Sequence, residues 1–91
     1  MDEKIKFDED IRSSENALIV VRVYASPENR SVIAKGYLNG DLIASASAVD
    51  YKDPQHPSPS TQSFTMPVKR GDSFRIEANA TNCAEARLFI L

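Results

Sequence analysis

The sequence predicts an all-β domain, a small antiparallel β-sandwich of six or seven strands with jelly-roll or immunoglobulin-like topology. Three observations carry this. Apolar residues recur with a period of two far more convincingly than with a helical period. Turn formers interrupt the apolar runs at short intervals, and Asn39-Gly40 is the sharpest of them. Helix has little support, because Glu85-Ala86-Arg87-Leu88 is too short to sustain one and runs straight into Phe89.

A chain of 91 residues makes a single domain with one modest core. Hydrophobic residues make up 42%, charged residues 26% and the net charge is -2, a balance that folds rather than one that stays disordered. It also lacks the basic excess that nucleic-acid binding calls for. The acids are concentrated at the start, where Asp2, Glu3, Asp8, Glu9, Asp10 and Glu15 face only Lys4, Lys6 and Arg12. Residues 1–16 therefore read as an acidic arm, with a short strand at Lys4-Ile5-Lys6-Phe7, ahead of a sandwich over residues 17–91. Such an arm is ordinarily a solvated end, and its functional alternative is a docking tail.

The strands follow in order. Ala17 to Ala25 is β-branched and apolar at both alternating sets of positions, the pattern of a central strand buried on both sides. Ser26-Pro27-Glu28-Asn29 ends it. Val32 to Leu38 and Asp41 to Val49 form a hairpin around Asn39-Gly40, with Leu38 opposite Asp41 and Tyr37 opposite Leu42. With a two-residue loop this gathers Ile33, Tyr37, Leu42, Ala44, Ala46 and Ala48 on one face. Ser63 to Val68 alternates, and Pro67 marks it as an edge. Lys69-Arg70-Gly71-Asp72 turns into Ser73 to Ala80, which points Phe74, Ile76, Ala78 and Ala80 one way and Ser73, Arg75, Glu77 and Asn79 the other. After a loop over Thr81 to Glu85, Ala86 to Leu91 closes the sheet, its last residue expected in the core or an interface.

Catalysis fails on inventory. The single histidine, His56, lies in a proline-rich loop, and pairing it with the single cysteine, Cys83, has no positional support. One cysteine excludes an internal disulfide and a zinc knuckle. Asp50 and Asp53 with His56 are too thin a set to predict a metal, and no glycine-rich phosphate loop is present. No enzyme activity and no cofactor are expected. Arg70-Gly71-Asp72 spells an integrin-binding tripeptide, yet turn chemistry accounts for it. The sequons at Asn29 and Asn79 read as chance matches. No apolar run approaches the roughly 18 residues of a membrane span, and Met1-Asp2-Glu3-Lys4 is too polar for a signal peptide, so cytoplasmic synthesis without membrane insertion is expected.

The most plausible binding surface is the long irregular stretch from Asp50 to Gln62, because loops of this length tend to be functional or disordered. Tyr51 and His56 offer amphipathic contacts, and Asp50, Asp53, Gln55 and Gln62 offer hydrogen-bond partners. An aromatic face with amides and carboxylates is the combination that sugars take. A plain crossover between the two sheets is the competing account.

Phe64-Thr65-Met66-Pro67-Val68-Lys69-Arg70-Gly71-Asp72-Ser73-Phe74-Arg75-Ile76, followed by a polar loop and the apolar Leu88-Phe89-Ile90-Leu91, resembles the end of a known family. These are the small β-sandwich domains at the tips of bacteriophage tail fibres and tail-like particles, and about a third of the chain carries the likeness. The resemblance implies a homotrimer on a virion or tail-like particle that recognises a surface glycan or protein receptor without catalysis. A small intracellular adaptor or inhibitor of one protein partner, docking through the acidic arm, is the alternative. The closing strand, apolar on both faces and carrying only Arg87 as a charge, lacks the usual guards of an exposed strand. It predicts a closed homo-oligomer, a trimer ahead of a dimer, with Phe89 or Leu91 at the subunit contact.

Overall fold

The computed structural model describes residues 2–50 and 61–91. It is a β-sandwich of two four-stranded antiparallel sheets, eight strands where six or seven were expected. The strands are β1 (Asp2–Lys4), β2 (Ile11–Arg12), β3 (Ala17–Tyr24), β4 (Ser31–Leu38), β5 (Asp41–Val49), β6 (Thr61–Val68), β7 (Ser73–Ala78) and β8 (Ala84–Ile90). One sheet runs β1-β8-β3-β6 and the other β2-β7-β4-β5. The β4–β5 hairpin is thus enclosed in turn by the pairs β3–β6, β2–β7 and β1–β8, which is the nesting of a jelly roll.

The additional strands come from the acidic segment. The expected strand at Lys4–Phe7 is displaced to Asp2–Lys4, which pairs with β8, while Ile11–Arg12 pairs with β7 in the opposite sheet. Between them Ile5 is buried in the core and its N–H donates to the Ala86 carbonyl at 2.9 Å. The acids accompany two short strands that an apolar core residue anchors.

Alternation builds the core. From β3, Ala17, Ile19, Val21 and Val23 are fully buried, and Phe74 and Ile76 meet them from β7 with Met66 from β6. Arg75 and Glu77 stay outside, as the alternation of β7 requires. Two expectations about faces are corrected. β3 is not buried on both sides: Leu18 and Val20 are half-buried and Arg22 and Tyr24 are exposed, because a two-layer sandwich leaves the outer face of each sheet uncovered. Ile33 does not share a face with the alanines. A bulge in β5 leaves Ile43 between the pairs Tyr37–Leu42 and Gly36–Ala44, so Ala34 pairs with Ala46, Val32 with Ala48, and Ile33 with Ser47. One extra residue inverts the facing of everything beyond it.

The Asn39-Gly40 turn is as the sequence predicts, with φ of 51° and 90° at its two residues. Gly71 (φ 93°) turns Lys69–Asp72. β8 is not an edge, since β1 flanks one side of it and β3 the other. Leu88 packs against the core, whereas Leu91 is 82% exposed and is no core residue. The predicted loop after β7 is shorter than expected, a 3-10 turn over Thr81–Cys83 that leads directly into β8.

Candidate binding end and its outer faces

The nested topology sends alternate connections to opposite ends. The links β2–β3, β4–β5 and β6–β7 gather at one end with Leu91, and the links β1–β2, β3–β4, β5–β6 and β7–β8 gather at the other.

The first end is tied together. Ser13 N–H donates to the Asp72 carbonyl and Gly71 N–H to the Ser13 carbonyl, both at 2.8 Å. Asn39 N–H donates to the Ser73 carbonyl at 2.6 Å, and Ser73 N–H returns a bond to Asn39 Oδ1 at 2.9 Å. Arg70 and Leu91 both donate backbone N–H groups to Asn16. The Asp72 carboxylate accepts from Lys69 N–H and the Asn39 amide, which hold its pKa below the ordinary carboxylate value. The carboxylate of the Arg-Gly-Asp sequence therefore serves the turn.

The second end holds Asp50 and Thr61, the described residues that flank the long irregular stretch the sequence singled out. Tyr51, Asp53, Gln55 and His56 lie outside the described residues. Asp50 is half-buried and donates its N–H to the Arg30 carbonyl at 2.7 Å, continuing the β4–β5 ladder. Gln62 belongs to β6 as an exposed residue, so the crossover is shorter than Asp50–Gln62.

The sequence reading missed two residues that stand beside Thr61, the first residue of β6. Arg22 and Tyr24, two apart on β3, share its outer face and line a hollow of about 380 Å³ with Ala25 and Thr61. The Tyr24 hydroxyl donates to the Asn82 carbonyl at 3.0 Å, which fixes the ring. Arg22 lies 3.7 Å from the Glu85 carboxylate, and Glu85 also accepts from Arg87, whose hydrogen bond is the main cause of its lowered pKa. The hollow thus presents an aromatic ring, a guanidinium and a hydroxyl. Arg22 is the single charge inside an apolar strand and Tyr24 is its period-two neighbour, and that was the available signal. On the outer face of the other sheet, Asp8, Ile33, Lys35, Glu77, Ala78 and Asn79 line a depression of about 310 Å³. Nearby, Arg75 grips Asp10 through two bonds of 2.9 and 3.0 Å, lowering the Asp10 pKa and fastening the β1–β2 link to β7.

Cys83 is buried, and the Asn29 amide donates to its sulfur at 3.2 Å. It holds the β3–β4 loop against the turn after β7. Asn79 bonds both ways with β4, its side chain accepting from Ile33 N–H and donating to the Ser31 carbonyl. Among the described residues no cluster of three His, Cys, Asp or Glu side chains could hold a metal ion. No helix of the described residues is long and apolar enough to cross a membrane. Phe89 is 38% exposed on the outer face of its sheet, opposite Leu18 in the β3–β8 ladder.

Compared with known proteins, the chain matches no family model and no curated protein.

Proposed function

We propose that this chain is a non-enzymatic binding and assembly module, a β-sandwich of a phage or phage-like particle. It self-associates and presents its loop-bearing end to a receptor glycan or a neighbouring protein. The observation that carries the reading is the inequality of the two ends. Both ends are tied by hydrogen bonds, but one holds three short turns, and the other holds four connections, the β5–β6 link among them, with the Arg22–Tyr24 hollow beside Thr61. A rigid scaffold with variable loops at one end is the usual way for a sandwich to present a binding surface. The Tyr24 ring suits the apolar face of a sugar, and Arg22 and Thr61 suit its hydroxyl or carboxylate groups. The resemblance of the Phe64–Ile76 hairpin to tail-tip domains supplies the particle setting. Apolar side chains on the outside of the first sheet, Phe89 among them, and the exposed terminal Leu91 offer one surface for self-association.

The adaptor reading, with the acidic arm as docking element, has less support, because β1 and β2 already occupy that arm in the two sheets. The test is binding of the purified chain to immobilised bacterial surface polysaccharides, with Tyr24→Ala and Arg22→Ala beside the parent. Retention by at least one polysaccharide, weakened in both variants with unchanged melting, is the expected result. Absence of binding to every polysaccharide, together with co-purification of a monomer with one protein, would favour the adaptor.

A further inference from the structure

We infer that the ligand of the Arg22–Tyr24 hollow is a carboxylate-bearing sugar, its acid group held by the Arg22 guanidinium and the apolar face of its ring laid on Tyr24. The inference rests on the proposed function and deepens it, from a glycan in general to an acidic one.

The Arg22 guanidinium keeps its donors for a partner from outside. It stands on the outer face of β3 with Glu85 opposite it on β8 and Ser63 opposite it on β6. Its side chain is 57% exposed, and its ion pair with Glu85 is long at 3.7 Å. Among the described residues Arg22 donates no hydrogen bond. Glu85 is held instead by Arg87, which donates a hydrogen bond to it. Arg87, Arg22 and Lys4 all act on this one acid, so the carboxylate opposite Arg22 is already engaged by others. In a chain of net charge -2, this face of the first sheet therefore gathers cations around one acid.

A solvated arginine needs no rigid aromatic ring beside it, and Tyr24 is one. Its hydroxyl donates to the Asn82 carbonyl at 3.0 Å, so the ring is already ordered and a ligand spends little to fix it. Tyr24 follows Arg22 by two residues and lies on the same face, about 6.7 Å along the strand, the scale of one sugar ring. Thr61 stands opposite Tyr24 as Ser63 stands opposite Arg22, and all four side chains are exposed. The hollow of about 380 Å³ that Arg22, Tyr24, Ala25 and Thr61 line falls within the roughly 300–1,000 Å³ of small-ligand sites.

Each part of this arrangement matches one part of an acidic sugar. A guanidinium receives a carboxylate through two parallel N–H···O bonds, a geometry that a neutral hydroxyl cannot reproduce. The Ser63 hydroxyl, directly across the strand pair from Arg22, is placed to add a further donor. The Tyr24 ring offers an apolar face to the sugar C–H groups, and the Thr61 hydroxyl offers a partner for a ring hydroxyl. A neutral sugar would leave the guanidinium without its charged partner, and a bare carboxylate would leave the ring uncovered. Glu85 is the internal competitor, because it is the one carboxylate within ion-pair distance of Arg22 among the described residues. Removing its charge should therefore strengthen the hold on an incoming acid.

The test is a nuclear magnetic resonance titration of the full, isotopically labelled chain, following the Arg22 Nε–H and Tyr24 ring signals. The probes are the methyl glycosides of glucuronate, galacturonate and N-acetylneuraminate, each beside its uncharged methyl ester, with acetate as the bare anion. The expected result is that at least one acid shifts both residues saturably and binds about tenfold tighter than its ester. Arg22→Gln should erase that difference, and Glu85→Gln should tighten the acid severalfold while leaving the ester unchanged. Both side chains are on the outer face, so melting temperatures of the variants check that the fold is kept. Acid and ester binding alike would overturn the acidic class and leave the glycan reading standing. Shifts at Arg22 that acetate reproduces in full, with Tyr24 silent, would reduce the site to an anion contact and overturn the sugar. Absence of shifts with every acid overturns the inference as well, and the glycan reading falls with it only if no immobilised polysaccharide retains the chain.

Discussion

Gly36 lies beneath the ring of Phe64: a Cβ at position 36 would stand 2.9 Å from Phe64 Cε1 and 3.1 Å from Met66 Sδ. The glycine lets β6 approach β4 across the sandwich, next to the bulge that reorients β5. Gly36→Ala should gain a little from lower chain entropy and lose more by displacing the ring, for a net destabilisation of about 1–2 kcal/mol. Because Phe64 is only partly buried, Phe64→Leu should relieve much of the cost. Denaturant unfolding of the two single variants and the double variant checks this, and strictly additive effects would mean that the two positions do not meet.

Ile76 is fully buried between the sheets on β7. Ile76→Ala should cost roughly 2–5 kcal/mol, whereas Arg75→Ala should remove only the surface pairing to Asp10. Chemical denaturation of both variants reads the difference. Equal losses would mean that the inward and outward assignments of β7 are wrong.

Gly40 has φ of 90° with nothing within 4 Å of where its Cβ would stand, so a side chain there meets backbone strain alone. Gly40→Ala should cost about 1–2 kcal/mol, and the β-branched Gly40→Val should cost more. A Gly40→Val protein melting within a degree of the parent would contradict the turn.

Asp10, Asp72 and Glu85 have folded-state pKa values held below the ordinary range by Arg75, by Lys69 N–H with Asn39, and by Arg87 respectively. Depressed carboxylate values stabilise the fold above the unfolded-state pKa of about 4, and the contribution is lost as pH falls through the folded-state values. Urea midpoints should therefore decline below about pH 4. Asp72→Ala should lower the plateau and make the decline shallower. A decline of unchanged slope in that variant would remove Asp72 from the account.

The parts of the fold legible in the sequence are those set by local chemistry. Asn39-Gly40 announces its turn, and Phe74, Ile76 and Ala78 announce their face. The exchanged facing of Ile33 was hidden, because a bulge at Ile43 depends on how β4 and β5 fit across Gly36 and not on either strand alone. β1 and β2 were hidden for a related reason: strands of three and two residues carry almost no periodicity and exist through the strands they pair with. The crossover was legible as a long interruption, and Asp50 and Gln62 fall at its flanks. Arg22 and Tyr24 escaped notice because apolar residues on both sides of a strand conceal which face is the outer one.

The proposed function places ligands at the end bearing the β1–β2, β3–β4, β5–β6 and β7–β8 links. Amide chemical-shift mapping of the isotopically labelled chain, titrated with surface-polysaccharide fragments, tests it most directly. The predicted result is a set of shifts that includes Arg22 to Arg30, Thr61 to Ser63 and Asn79 to Glu85 and spares the opposite end. Shifts clustered instead at Asn39-Gly40 and Lys69 to Asp72, with the Tyr24 region silent, would contradict it.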